Sequence, residues 1–166
     1  MTSKTTKWIY RAIPGAYHMV AGHLPVEEAT GVQLKQSAKI ALGRLNPEPD
    51  YLSNLLDHGK ERLTRIVRLL CTQVSPTMNH VLSLQEEDAI KVWQMPKHDA
   101  MHLLFDPNMK FDMEEFYKNV RTYYPDETSV EAALSLIKNG VLFLKVVQDW
   151  YKKMKIYVTD VREPIL

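Results

Sequence analysis

Residues 128–155 limit what this chain can fold into more than any other stretch. The segment opens on Thr128-x-x-Glu131, a capping box whose hydroxyl and carboxylate satisfy the N–H groups that a helix start leaves unpaired. Val130, Ala133, Leu134, Ile137, Val141, Leu144, Val147 and Tyr151 then recur at helical spacing. Leu136, Leu142, Phe143 and Val146 fill the flanks, so the middle is apolar nearly all round. Such a helix has to be wrapped by other helices. Lys138, Asn139 and Lys145 interrupt any run able to cross a bilayer, which favours a buried helix over a membrane span. Asn139-Gly140 marks a kink or a division into two shorter helices.

The rest of the chain supplies the wrapping. Residues 5–13 read as a short helix stopped by Pro14-Gly15, and 16–24 as a mixed loop. Pro25, Glu27 and Glu28 suit the start of a helix that runs to Gly43, with Ala29, Val32, Leu34, Ala38, Ile40, Ala41 and Leu42 inward. A turn at 46–49 leads to a short helix over 50–58, ended by Gly59 as a left-handed cap. Over 60–74, Leu63, Ile66, Val67, Leu70, Cys71 and Val74 form one stripe, and Ser75-Pro76 closes the helix. Residues 77–108 are less periodic, with one helix over 86–94 and a loop-like piece holding His98 and His102. Asp112 or a neighbour caps a helix over 113–123, and Ile156-Tyr-Val-Thr lacks helical character. Alternating apolar and polar runs are almost absent, so the expected fold is all-α. It divides into a first helical sub-bundle (1–75), a linker with a short helix (76–108) and a second sub-bundle (109–166).

Charge and chemistry narrow the function. With 21 basic and 20 acidic residues the formal charge is +1, so nucleic acid or membrane is met through local patches rather than a global field. The single Cys71 excludes an internal disulfide and a cysteine zinc cluster, and its apolar run makes it an inert thiol in a reducing compartment. No apolar stretch of signal-peptide type follows the polar residues 1–7, so none is expected. Phosphate-binding glycine loops, nucleophile elbows and paired acid–base carboxylates are missing from the sequence. The reading is a non-enzyme with no catalytic residue, metal or cofactor. His98-x-x-x-His102 has helical spacing with Asp99 beside it, but without further ligands at a telling distance it reads as two surface histidines. Glu86-Glu87-Asp88 reads first as a helix start favoured by its dipole, and second as a metal cluster.

Two basic groups are candidate sites for phosphates of RNA or anionic lipid, at about 1 kcal/mol per side chain near a membrane surface. Arg62, Arg65 and Arg68 lie three residues apart, with Lys35 and Lys39 as their extension. Lys152, Lys153 and Lys155 follow Trp150 and Tyr151. A solvated helix face is the plainer reading of each.

The order of segments resembles the N-terminal domain of orthomyxovirus matrix proteins, nearest to thogotovirus-type members. The likeness is carried by Trp8 to Ile13-Pro14, by Leu52-Ser-Asn-Leu-Leu with Leu63-Thr64-Arg65 leading into 66–74, and by Asp106-Pro107-Asn108 before Phe116-Tyr117-Lys118-Asn119-Val120. Ser135 through Asn139-Gly140 to Tyr151, then Val158-Thr159, completes it. The resemblance implies a structural protein that lines the inner face of an envelope, binds anionic lipid, self-associates and holds the ribonucleoprotein until acid releases it. It implies a place in the virion and in host cytoplasm, nucleus and inner plasma membrane, with envelope glycoprotein tails as further partners. Gln85-Glu86-Glu87-Asp88 stands where the family has a basic run, and of its basic RNA-binding helix only Lys118 and Arg121 remain. The family's C-terminal domain has no counterpart here, so the chain is expected to be a fragment.

On this basis Glu86, Glu87 and Asp88 of one copy are expected to face Arg62, Arg65 and Arg68 of the next, a contact that extends rather than closes. Protonation of His18, His23, His58, His80, His98 and His102 is expected to weaken that stacking near pH ~5. The alternative is an RNA-binding nucleocapsid-type or adaptor protein using the arginine face.

Overall fold

The computed structural model describes residues 13–15, 20–23, 26–52, 59–125 and 129–160. Among these no strand occurs, and six α-helices account for the fold. Helix α1 (Gly31–Gly43) is started by a capping box. Thr30 Oγ1 accepts from Gln33 N at 3.3 Å, and Gln33 Oε1 accepts from Thr30 N at 2.9 Å. That box sets the helix start, so Glu27 and Glu28 precede α1 instead of opening it, and Pro25 lies outside the described residues. Leu34, Ala38 and Leu42, each four residues from the last, are buried. Val32 and Ile40, expected inward, are exposed.

Helix α2 (Gly59–Gln85) runs straight through the stop expected at Ser75-Pro76. A proline inside a helix removes one backbone bond and crowds the carbonyl a turn earlier, costing about 3 kcal/mol. Tertiary burial on both sides overrides this: Leu70, Val74, Met78, Val81 and Leu82 are fully buried. Thr77 Oγ1 donates to Gln73 O at 2.8 Å, a second tie across the weakened turn. Gly59, at φ +71°, begins α2. The helix it was expected to end lies mostly outside the described residues, of which only a 3-10 turn at Asp50–Leu52 is seen.

Two short helices follow, α3 (Ala89–Gln94) and α4 (Lys97–His102). Asp88 caps α3, accepting from Lys91 N at 3.1 Å. Helix α5 (Pro107–Tyr123) starts six residues earlier than expected. Its cap is Asp106, which accepts from Asn108 N at 2.8 Å and Met109 N at 3.2 Å, with Pro107 in the first turn. Asp112 is instead buried inside α5, where desolvation first and the Asp106 charge second raise its carboxyl above the usual range.

Helix α6 (Val130–Asp160) is one uninterrupted helix. Ser129 Oγ accepts from Ala132 N at 3.2 Å at its start, while Thr128 lies outside the described residues. Asn139-Gly140 does not divide it, and it continues past Lys155. Gly140 has a packing reason. A Cβ there would sit 2.8 Å from Leu70 Cδ2 and 3.2 Å from Phe116 Cε2, so a larger residue would push those side chains away where α2, α5 and α6 meet. Wrapping of α6 is incomplete: Leu136, Phe143, Leu144 and Val147 are buried, whereas Val130, Leu134 and Leu142 are exposed.

A single apolar cluster takes residues from all six helices, and a smaller one joins Ala29, Leu34 and Ala89. Among the described residues no helix is long and apolar enough to cross a membrane.

Candidate functional site

The continuity of α2 decides how the charged candidates are arranged. Arg65 and Arg68 are exposed and Arg62 half-buried near its start, and Glu86 and Glu87 directly follow its end. At 1.5 Å per residue, the eighteen positions from Arg68 to Glu86 span about 27 Å. The two groups therefore cannot neutralise one another within one molecule. Glu61 is the only acidic residue in the first turn, and no basic residue stands in the last. Asp88 differs from its two neighbours, because its carboxylate is engaged as the α3 cap.

Lys35 and Lys39 do not extend the arginine stripe. Helix α1 lies against the second half of α2: Gln73 Nε2 donates to Asn46 O at 3.0 Å, and Leu34, Ala41 and Arg44 share a groove with Pro76 and His80. Lys39 belongs instead with the end of α6, since its carbonyl accepts from Tyr151 Oη at 3.0 Å. There Lys155 Nζ stands 5.1 Å from the centre of the Tyr151 ring, and Lys152 Nζ donates to Gln148 Oε1 at 2.9 Å. Lys152 and Lys153 are exposed, Tyr151 is buried, and Trp150 packs on the exposed Phe105 at 5.8 Å between ring centres. Sequence reasoning missed Phe105, which lies forty-five positions away. On α5, Lys118 pairs with Glu115 at 3.2 Å and Arg121 Nε donates to Tyr117 O at 3.4 Å, so both are engaged locally.

Along α2, two tyrosines of α5 and its capping Tyr124 form a polar seam. Tyr123 Oη lies 2.9 Å from Thr64 Oγ1, Tyr117 Oη 2.9 Å from Ser75 Oγ, and Tyr124 Oη donates to Cys71 Sγ at 3.9 Å. Burial pushes the Cys71 thiol above its ordinary value, which suits an unreactive side chain. Tyr124 is pushed up to about 12, by desolvation first and then by Cys71.

The histidines separate into unlike environments. His18 and His58 lie outside the described residues, and His23 is exposed. His80 lines a groove of about 620 Å³ with Ile13, Leu34, Ile40, Pro76 and Trp93, and its ring meets Trp93 edge-on at 5.2 Å. Its Nδ1 has no hydrogen-bond partner among the described residues, and burial lowers its pKa to about 4. It therefore stays neutral at pH 5, against its expected part in an acid response there. His98 and His102 are exposed on one side of α4, with Nε2 atoms 3.3 Å apart. Among the described residues no group of three or more histidine, cysteine, aspartate or glutamate side chains is placed to hold a metal.

Compared with family models, with curated proteins and with solved structures, the chain finds no match.

Proposed function

We propose that this chain is a self-associating structural protein, a matrix-type brick of a layer beneath a viral envelope. It would contact anionic lipid on one side and ribonucleoprotein on the other, with envelope glycoprotein tails as further partners. The observation that carries the self-association is the charge polarity of α2, with exposed arginines at one end and Glu86 and Glu87 beyond the other. Opposite charge at the two ends of one rod lets a second copy add its opposite end. Head-to-tail contacts of that kind extend instead of closing. The packing is compatible with a matrix-type pair of small bundles: α1, α2 and α3 pack on one another, α5 packs on α6, and α2 meets α6 between them. In this reading the first bundle reaches through Gln85 rather than ending before Pro76. Phe105, Trp150, Lys152 and Lys153 give the end of α6 a mixed aromatic and basic surface suited to a lipid interface.

Sedimentation velocity at low salt tests the association. Wild-type chain is expected to form species larger than a monomer, and Glu86→Lys/Glu87→Lys to remain monomeric, with Asp88 kept as the α3 cap. Association should weaken as the screening length falls from about 30 Å at 0.01 M salt to about 8 Å at 0.15 M. Flotation with phosphatidylserine vesicles, repeated on an Arg62/Arg65/Arg68 triple alanine, tests the lipid contact. Monomeric wild-type chain that binds RNA through these arginines, and binds no vesicles, would replace this reading with the nucleocapsid-type one.

A further inference from the structure

We propose that His98 and His102 form an open two-imidazole site for a borderline transition-metal ion of the Zn²⁺, Cu²⁺ or Ni²⁺ class. The side chains project from successive turns of α4 and converge, with Nε2 atoms 3.3 Å apart, ring centres 4.5 Å apart and ring planes at 77°. Two nitrogens at about 2.0–2.1 Å from one tetrahedral ion lie about 3.3 Å apart, so the site is spaced for coordination without moving the backbone. Neutral imidazole suits these ions, whereas Mg²⁺ and Ca²⁺ prefer oxygen.

Asp99 supplies the second feature of such a site. Its Oδ1 lies 3.4 Å from His98 Nδ1. A carboxylate that accepts from Nδ1–H favours the tautomer in which His98 Nε2 carries the free lone pair. In the metal-free arrangement the two Nε2 atoms are within hydrogen-bond distance of one another. Coordination through both Nε2 atoms requires that the proton of each ring sit on its own Nδ1. His98 and Asp99 are 68% and 61% exposed, which leaves an open path for a hydrated ion. Two protein ligands leave coordination positions for water or for a donor from another molecule. This site is independent of the layer reading, because it uses neither the α2 charges nor the α6 surface.

The test uses the full chain, with Zn²⁺ titrated calorimetrically and Cu²⁺ bound for electron paramagnetic resonance. One ion per chain is expected, with two nitrogens in the Cu²⁺ hyperfine pattern. His98→Ala and His102→Ala should each weaken Zn²⁺ binding by about tenfold or more and remove one nitrogen, and Asp99→Asn should weaken it by about tenfold with both nitrogens kept. His23→Ala, an exposed histidine elsewhere, should leave affinity unchanged. Loss of helical circular dichroism in a variant would be answered by His98→Gln and His102→Gln, for which the same affinity losses are expected. Wild-type affinity no greater than that of a His98→Ala/His102→Ala double variant would overturn the proposal. So would loss of binding in only one of the two single variants.

Discussion

Both long helices carry a helix-weakening residue near the middle, and neither breaks, for opposite reasons. In α6 the glycine makes room: Gly140 leaves the space in which Leu70 and Phe116 approach the backbone. In α2 the proline is tolerated: Pro76 costs a backbone bond that the buried turns on either side outweigh. The difference teaches that α6 is specified by contacts at its centre, whereas α2 is held along its length by a stripe and leaves its ends charged. Where the same local rule fails twice, the cause has to be found in what each residue touches.

The largest expected effect sharpens the account of α6. Phe143→Ala should destabilise by about 3–5 kcal/mol in urea unfolding, since Phe143 is fully buried. Leu142→Ala, one residue away on the exposed side, should cost less than about 1 kcal/mol. Equal losses would mean that α6 is wrapped all round after all. Gly140→Val should destabilise by about 2–3 kcal/mol, because overpacking against Leu70 and Phe116 outweighs the gain in helix propensity.

On α2, acid should act through His80. Its pKa falls from 6.5 to about 4 on folding, so the unfolded chain takes up a proton that the folded chain refuses. This contribution to stability is complete well above pH 6.5 and is lost as pH falls towards 4, by about 3 kcal/mol in all. Thermal unfolding of wild type against His80→Leu across that range should show the variant losing less. Parallel curves would remove His80 as the acid-sensitive group. The smallest effect has the opposite sign: Pro76→Ala should raise stability by about 1 kcal/mol through the restored backbone bond. A loss instead would mean that the proline's contacts in the groove matter more than the missing bond.

Much of the fold was legible in the sequence because burial leaves a period. The stripe Leu63, Ile66, Val67, Leu70 and Val74 is buried as its spacing predicts, and so are Phe116 on α5 and Leu144 and Val147 on α6. Helix boundaries were less legible. The helix expected over 113–123 begins at Pro107, because an acidic cap before a first-turn proline is a helix start. Thr30-x-x-Gln33 was masked by the Pro25–Glu28 signal upstream. Cutting α2 at Pro76 hid the most informative part of the candidate interface, since only a continuous helix puts Arg65 and Glu86 at opposite ends of one rod. The pairing of His98 with His102 was visible as spacing. The convergence of their nitrogens depends on side-chain rotation, which spacing does not encode.

Complementation between charge-reversed chains tests the polarity of α2 most directly. Arg65→Glu and Glu86→Lys/Glu87→Lys variants, each sedimented alone at low salt, are predicted to stay monomeric, and an equimolar mixture to assemble as the wild type does. Assembly of either variant alone to the wild-type extent, or a mixture that remains monomeric, would contradict the account.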